Sequence, residues 1–197
     1  MRVVKRGLDV AVSAVALVIA AVPMAVLAVA IRLTMGSPVL FRQQRPGLHE
    51  APFTLLKFRT MRDPRPGEDA VASDDDRITG LGRWLRRTSM DELPGLWNVL
   101  RGDLSLVGPR PLLMAYLPRY SPEQRRRHDV RPGLTGLTQV EGRNTLTWEE
   151  HFDLDLWYID HWSLWLDAKI LLRTVREVVT GSGVSQEGRA TRDEFMG

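Results

Sequence analysis

The chain of 197 residues reads as a mainly helical α+β protein in which a long apolar N-terminal helix joins a compact, polar domain with one small β-hairpin. Three observations predict this. The stretch Leu8 to Ile31 is almost wholly apolar, with Asp9 its sole charge. Two short apolar–polar segments flank a turn rich in Pro and Gly between Leu40 and Phe58. The C-terminal third keeps helical spacing behind recognisable caps. A division at residues 1–36 and 37–197 follows.

Composition sets the outer bounds. Lys and Arg total 27 against 24 acidic residues, a net charge of +3, which is too mild for a nucleic-acid partner. Anionic small molecules and a membrane surface fit it. The absence of cysteine excludes disulfides, thiolate metal sites and a thiol nucleophile.

As one straight helix, Leu8–Ile31 would be roughly 36 Å long, enough for a bilayer, and a soluble helix is rarely apolar on every side. A signal peptide competes, with Arg2, Lys5 and Arg6 as its basic region and Ala28-Val29-Ala30 as a nominal cleavage site. The run is long for that role, and Pro23 interrupts it. Lys5 and Arg6 before the segment, and Arg32, Arg42 and Arg45 after it, favour the cytoplasm for both ends. Pro23 removes one hydrogen bond and permits a bend. The segment therefore either dips into one leaflet and returns, or crosses; the residues alone leave both open.

Val39–Gln43 and Phe53–Arg59 read as a hairpin. Lys57 and Arg59 alternate with Leu56 and Phe58, so both cations are expected on one face, as a solvated surface or as a wall beside an anion. Met61–Arg77 is too polar to pack and reads as a loop, with Asp74, Asp75 and Asp76 a minor metal candidate. Ile78–Arg87 predicts a short helix carrying Arg83, Arg86 and Arg87.

Asp91 and Glu92 follow. Ser89 with Glu92 three residues on matches a capping box, and Pro94 is tolerated only in a first turn, so a helix is expected to open near Met90. Its unpaired N–H groups and dipole would keep a carboxylate ionised and hold a phosphate beside it. Taken alone, the pair reads as a helix cap. Arg110 lies between Pro109 and Pro111, whose fixed dihedrals pre-position its guanidinium for a phosphate. Ser121-Pro122 opens a helix bearing Arg125, Arg126 and Arg127, a basic run suited to anionic headgroups or to water. Arg131–Asn144 is a glycine-punctuated loop and strand region that ends in Arg143.

Thr147 and Glu150 form a second capping box ahead of Trp148, Phe152, Leu156 and Ile159. A last helix spans Leu164–Thr180. Trp148, Trp157, Trp162 and Trp165 suit either a membrane–water interface or an aromatic core. Asp167 shares a face with Leu164, Ile170 and Leu171, so it needs a cation, by default in a structural ion pair. His151 and His161 lack metal-ligand spacing.

The ordered set of KR-x-x-D, QxRPG (Gln43–Gly47), KFRTM (Lys57–Met61), SxDELP (Ser89–Pro94), NVLRGDLSLVGPRP (Asn98–Pro111), RHDVRPGLTG (Arg127–Gly136), GRN (Gly142–Asn144), LDAK and GSGVS resembles the bacterial sugar transferases. These are small monotopic phosphoglycosyl transferases of the bacillosamine-phosphate transferase type. The resemblance covers nearly the whole chain. It implies transfer of a sugar phosphate from a UDP-sugar to polyprenyl phosphate with Mg²⁺, through an aspartyl-phosphosugar on the residue matching Asp91. Glu92 then matches the metal-contacting acid. Lys57, Arg59, Arg86 and Arg110 become phosphate-binding candidates, with Arg143 and Asp167 further candidates for holding the nucleotide sugar. It also implies a re-entrant helix-break-helix with amphipathic interfacial helices, on the cytoplasmic face of the bacterial inner membrane. Several family members carry Ser before the break proline, where this chain has Val22. Two other classes fit the same residues: a metal-dependent nucleotide-sugar pyrophosphatase, and a membrane-anchored scaffold. Nothing in the sequence specifies an oligomeric state.

Overall fold

A computed structural model of the chain describes residues 2–65, 74–142, 146–180 and 194–197. Helix α1 (Arg2–Met35) continues on both sides of Pro23. The expected break is thus a proline inside a continuous helix. The missing N–H costs one hydrogen bond of a long ladder, and the apolar residues on either side sustain the turn.

One stripe of α1 packs on the domain. Asp9 and Ser13 are buried near one end, and Leu27 and Ile31 near the other. The opposite side is bare: Val18, Ile19 and Val22 are each more than 70% exposed. Only 11% of the most apolar stretch of α1 is buried, so this is an apolar surface without a partner among the described residues.

Polar anchors hold the first turns of α1. Lys5 Nζ donates to the Val107 carbonyl and to Asp167. The Arg6 fork reaches the carbonyls of Val99 and Leu100 at 2.6 and 2.8 Å. These lie in the last turn of α4 (Gly95–Arg101), where a cation satisfies orphan carbonyls and opposes the helix dipole. Asp9 accepts from Ser105 Oγ and from the Leu106 N–H. The residues expected to set membrane orientation by charge are therefore also built into the domain.

The hairpin forms as predicted: β1 (Leu40–Pro46) pairs antiparallel with β2 (Pro52–Phe58), Phe41 opposite Lys57. Side chains alternate along β2, so Phe53 and Leu55 point into the main core and Lys57 ends the same row. Between the hairpin and the acid pair lie a short helix α2 (Asp74–Arg77), in the stretch expected to be loop, and α3 (Gly80–Arg87). A second pair of strands is parallel, β3 (Ser105–Val107) with β4 (Gly133–Thr135). Here glycine is obligatory: a Cβ on Gly133 would lie 2.2 Å from the Gly108 nitrogen. The short helices α5 (Pro122–Arg125) and α6 (Leu137–Glu141) flank β4, followed by α7 (Trp148–Asp160) and α8 (Leu164–Thr180). The capping box Thr147–Glu150 forms as expected, and Ser121 caps α5 in the same way with Gln124.

Three apolar clusters hold the domain. The largest joins Leu55, Val99, Leu104, Tyr158 and Ile170. A second, Phe58 and Leu85 with Leu27 and Ile31, seats the second half of α1. The third is aromatic: Tyr116, Tyr120 and Phe152 receive Phe195 from the C-terminal end. Trp148 joins that cluster and Trp162 bonds Asp167, whereas Trp157 and Trp165 stay exposed. The four tryptophans thus divide between core and surface.

Candidate active site

The acid pair sits in a tight 3-10 turn, Met90–Glu92, ahead of α4. The capping box expected at Ser89 does not form. Ser89 adopts φ 54° and ψ 17° and makes no side-chain cap bond, because a capping hydroxyl needs an extended backbone to reach forward. Its N–H instead donates to the Arg86 carbonyl, so Ser89 terminates α3 in the left-handed region. The abrupt turn carries Asp91 and Glu92 from α3 onto the hairpin.

Glu92 Oε1 accepts from Lys57 Nζ at 2.6 Å and from Arg110 Nη2 at 3.0 Å. Three separate stretches meet there. Asn98 fixes the distance between α4 and β2, taking the Leu56 N–H on its Oδ1 and donating Nδ2 to the Thr54 carbonyl. The neighbouring Lys57 is thereby held opposite Glu92. Arg110 is held through its backbone: Arg127 Nη2 donates to its carbonyl at 2.8 Å, and Arg45 Nη1 to that of Pro111 at 3.3 Å. Arg127 in turn pairs with Asp155 at 2.7 Å, both side chains only 2% exposed. An open cleft lies between these elements, lined by Arg45, Lys57, Glu92 and Arg110 with Leu56 and Leu134. Asp91 is 8% exposed, and Glu92 is the acid that faces the cleft.

The two acids are driven apart electrostatically. Burial, together with the Glu92 charge, pushes the Asp91 carboxyl up to about 6, against the pull of Lys57, Arg110 and Arg86. Burial also works against Glu92, but Lys57 and Arg110 outweigh it and hold that carboxyl well below the usual range. The expectation that helix-end donors keep Asp91 easily ionised is corrected, because no such donors reach a buried residue in a 3-10 turn. A neighbouring pair of carboxyls with opposite shifts marks two different roles: the raised one is the better nucleophile or base, and the lowered one is a permanent charge.

Lys57, Arg110, Asp91 and Glu92 are brought together as the sequence suggested, and Arg86, hydrogen-bonded to Thr60 Oγ1, lies close enough to act on Asp91. Arg59 and Asp167 are not part of this group. Arg59 lies past the end of β2, pairs with Asp63 at 2.7 Å and donates to the Met61 and Ser37 carbonyls. The expected shared face with Lys57 is therefore lost where the strand ends. Asp167 is satisfied by Lys5, Tyr158 and Trp162, the structural ion pair. Arg143 lies outside the described residues, as do the side chains of Asp74 and Asp75. Among the described residues no cluster of three or more His, Cys, Asp or Glu could hold a metal by itself.

Sequence reasoning missed Arg45 and the Arg127–Asp155 pair. Both arginines stand in motifs that were noted, QxRPG and RHDVRPGLTG. By its spacing Arg127 reads as part of a surface run with Arg125 and Arg126. Asp155, on the same helix face as the buried Phe152 and Tyr158, was the signal of a buried partner.

Comparison with known proteins gives the family. Residues 1–181 match the bacterial sugar transferase family. The chain is 56% identical to the uncharacterized sugar transferase EpsL of Bacillus subtilis, over 85% of this chain and 83% of that one. It is 48% identical to the UDP-glucose:undecaprenyl-phosphate glucose-1-phosphate transferase of Caulobacter vibrioides, over 89% and 70%. It is 38% identical to the undecaprenyl-phosphate galactose phosphotransferase of Salmonella typhimurium, over 92% of this chain and 42% of that one. The chain therefore belongs to the bacterial sugar transferase family.

Proposed function

We propose that the protein transfers a sugar 1-phosphate from a UDP-sugar to undecaprenyl phosphate, the step that starts polysaccharide assembly, through a covalent intermediate on Asp91. The observation that carries this reading is the acid pair of opposite character beside two cations. Asp91 is ionised above pH 6 yet basic for a carboxylate, the combination a nucleophile needs. Its carboxylate oxygen attacks the β-phosphorus, and the bond to the bridging oxygen breaks with its electron pair leaving on UMP. A phosphate oxygen of undecaprenyl phosphate then attacks the same phosphorus and returns the electron pair to Asp91. Lys57 and Arg110 offset the charge that gathers on the phosphoryl oxygens.

Mg²⁺ fits these residues. Both bonds to Glu92 fall on Oε1, and Mg²⁺ is commonly held by one or two carboxylates plus substrate phosphates rather than by an all-protein cage. Glu92 would hold the ion, which when bound supplies charge neutralisation of the diphosphate.

Both ends of α1 are held on the same domain, by Lys5, Arg6 and Asp9 on one side and by Leu27 and Ile31 on the other. A bilayer-crossing helix would carry one end about 30 Å away. This supports a helix that enters and leaves the membrane on the cytoplasmic face, where nucleotide sugars are found. It also accounts for the bare apolar surface between the two ends.

The enzymatic reading is tested by incubating purified protein with UDP-sugar and Mg²⁺ without lipid. A mass gain of one sugar phosphate, absent in Asp91→Asn, is expected. Continuous release of free sugar phosphate would instead identify a pyrophosphatase, and no nucleotide release with or without lipid would identify a scaffold. A panel of UDP-sugars scored by UMP release identifies the sugar. For topology, Val3→Cys and Ser37→Cys in this cysteine-free chain should both label from the cytoplasmic side; opposite labelling rejects re-entry.

A further inference from the structure

The cleft carries more positive charge than its own carboxylates balance. Lys57, Arg110 and Arg45 line it, and among the described residues Glu92 is the one carboxylate in that lining. Lys57 and Arg110 share Glu92. Arg45 is bonded to neutral atoms, Gln43 Oε1 at 2.5 Å and the Pro111 carbonyl at 3.3 Å, and its buried Nε has no partner. Among the described residues no carboxylate pairs with it. Burial, and after it the nearby Arg110 charge, act against Arg45 and bring its guanidinium down to about 10. A cation set beside like charge in a partly dry cleft is costly unless an anion arrives. The Gln43 and Pro111 bonds fix this fork in place beforehand, the arrangement suited to a phosphate.

In-line chemistry says which phosphate. Displacement at phosphorus places the leaving group opposite the attacking carboxylate oxygen. In the second half-reaction Asp91 is itself the leaving group, so the acceptor must enter from that same opposite side. The leaving UMP phosphate and the incoming undecaprenyl phosphate therefore occupy one position in turn. Lys57 and Arg110 are engaged with Glu92 and with the phosphoryl group in transit, which leaves Arg45, among the described residues that line the cleft, as the cation without a counter-ion.

We infer that Arg45 forms a phosphate-monoester subsite used twice in each turnover, first by the departing nucleotide phosphate and then by the lipid phosphate. This rests on the covalent mechanism proposed above. It makes Arg45 a binding residue for both substrates, although one is water-soluble and the other a lipid.

The test compares wild type with Arg45→Gln and Arg45→Lys, in detergent with Mg²⁺, reading three quantities: the Ki of UMP against UDP-sugar, the KM for undecaprenyl phosphate, and the mass of the Asp91 adduct at saturating UDP-sugar. Arg45→Gln should raise both the UMP Ki and the lipid-phosphate KM by roughly 10- to 100-fold, the worth of a charge-assisted hydrogen bond. The adduct should still form at saturation. Arg45→Lys, which keeps the charge but not the fork, should fall between, and it carries the test if the Gln variant does not fold. Uridine inhibition should be unchanged, since it has no phosphate. A rise in only one of the two constants overturns the shared subsite. A fall in kcat with both constants unchanged shows that Arg45 serves only to hold the Pro111 loop, and overturns it too. Failure of wild type to form any adduct would be a failure of the covalent mechanism, seen before the variants are compared.

Discussion

Two ion-pair networks lie next to each other in this protein and behave in opposite ways. Arg127 and Asp155 form a closed, matched pair, both 2% exposed, and the arginine's second hydrogen bond fixes the backbone of Arg110. Glu92, Lys57 and Arg110 form an open, unmatched group, with Glu92 shared by two cations and Asp91 buried alongside. The first does not line the cleft. The second lines the cleft with two cations that share one carboxylate, and that spare positive charge is the property of a site that awaits an anion. The difference lies in stoichiometry, since the same residue types serve in both places.

The sharpest way to break the comparison is Asp91→Asn. Sugar-phosphate transfer should fall by at least about 1,000-fold, because the proposed nucleophile is removed, while folding should improve. The sign follows from the raised carboxyl: a group whose folded value, about 6, lies above its unfolded one costs stability once it ionises, and the full cost is present above pH 6. Removing it should stabilise by on the order of 1–3 kcal/mol at pH 7.5, read as a higher thermal midpoint. A loss of stability would mean that the Asp91 charge is satisfied by bonds that Asn cannot make. The matched pair should respond in reverse. Asp155→Ala strands a buried guanidinium and should cost about 3–5 kcal/mol of stability by urea unfolding, with activity falling alongside as the Arg110 backbone that Arg127 holds is loosened. If stability holds and kcat falls, Asp155 acts on the site by positioning Arg110 through Arg127. Lys57→Met should lower kcat by about 100-fold with a change in melting temperature of no more than a few degrees, since Glu92 keeps Arg110.

Most of the fold was legible because its signals are local. The Pro–Gly turn gave the hairpin, and Thr147 with Glu150 gave the start of α7. The apolar run before Arg32 gave α1. What was misread depended on partners distant in sequence. Ser89 matched a capping box by spacing, but its backbone is set by the end of α3 and its would-be partner Glu92 is claimed by Lys57 and Arg110. Lys57 and Arg59 share a strand period, yet the strand stops between them. Lys5 and Arg6 looked like flanking charges, and Asp9 like a lone charge in the apolar run, because their partners, the Val99, Leu100 and Val107 carbonyls and the Ser105 hydroxyl, come about a hundred residues later. The acid pair was legible as a candidate; the opposite shifts of its members were not, since burial and two remote cations produce them.

The smallest predicted effect separates the two networks most directly. Burial pushes both Asp91 and Asp155 up to about 6, so either could produce a fall in rate on acidification. If ionised Asp91 is the nucleophile, kcat/KM should drop about tenfold per pH unit below 6, as the fraction of carboxylate does. Glu92→Gln distinguishes the sources. It removes the negative neighbour that helps to raise Asp91 and frees Lys57 and Arg110 to act on it, so the remaining adduct formation should show its acid limb shifted to lower pH by up to about one unit. Asp155 has burial as its first cause and Arg127 as its charged neighbour, with Glu92 absent from both. A limb that stays near pH 6 in Glu92→Gln would therefore assign the titration to the closed pair and remove the electrostatic case for Asp91. A limb that moves assigns it to the open one, where the neighbour was changed.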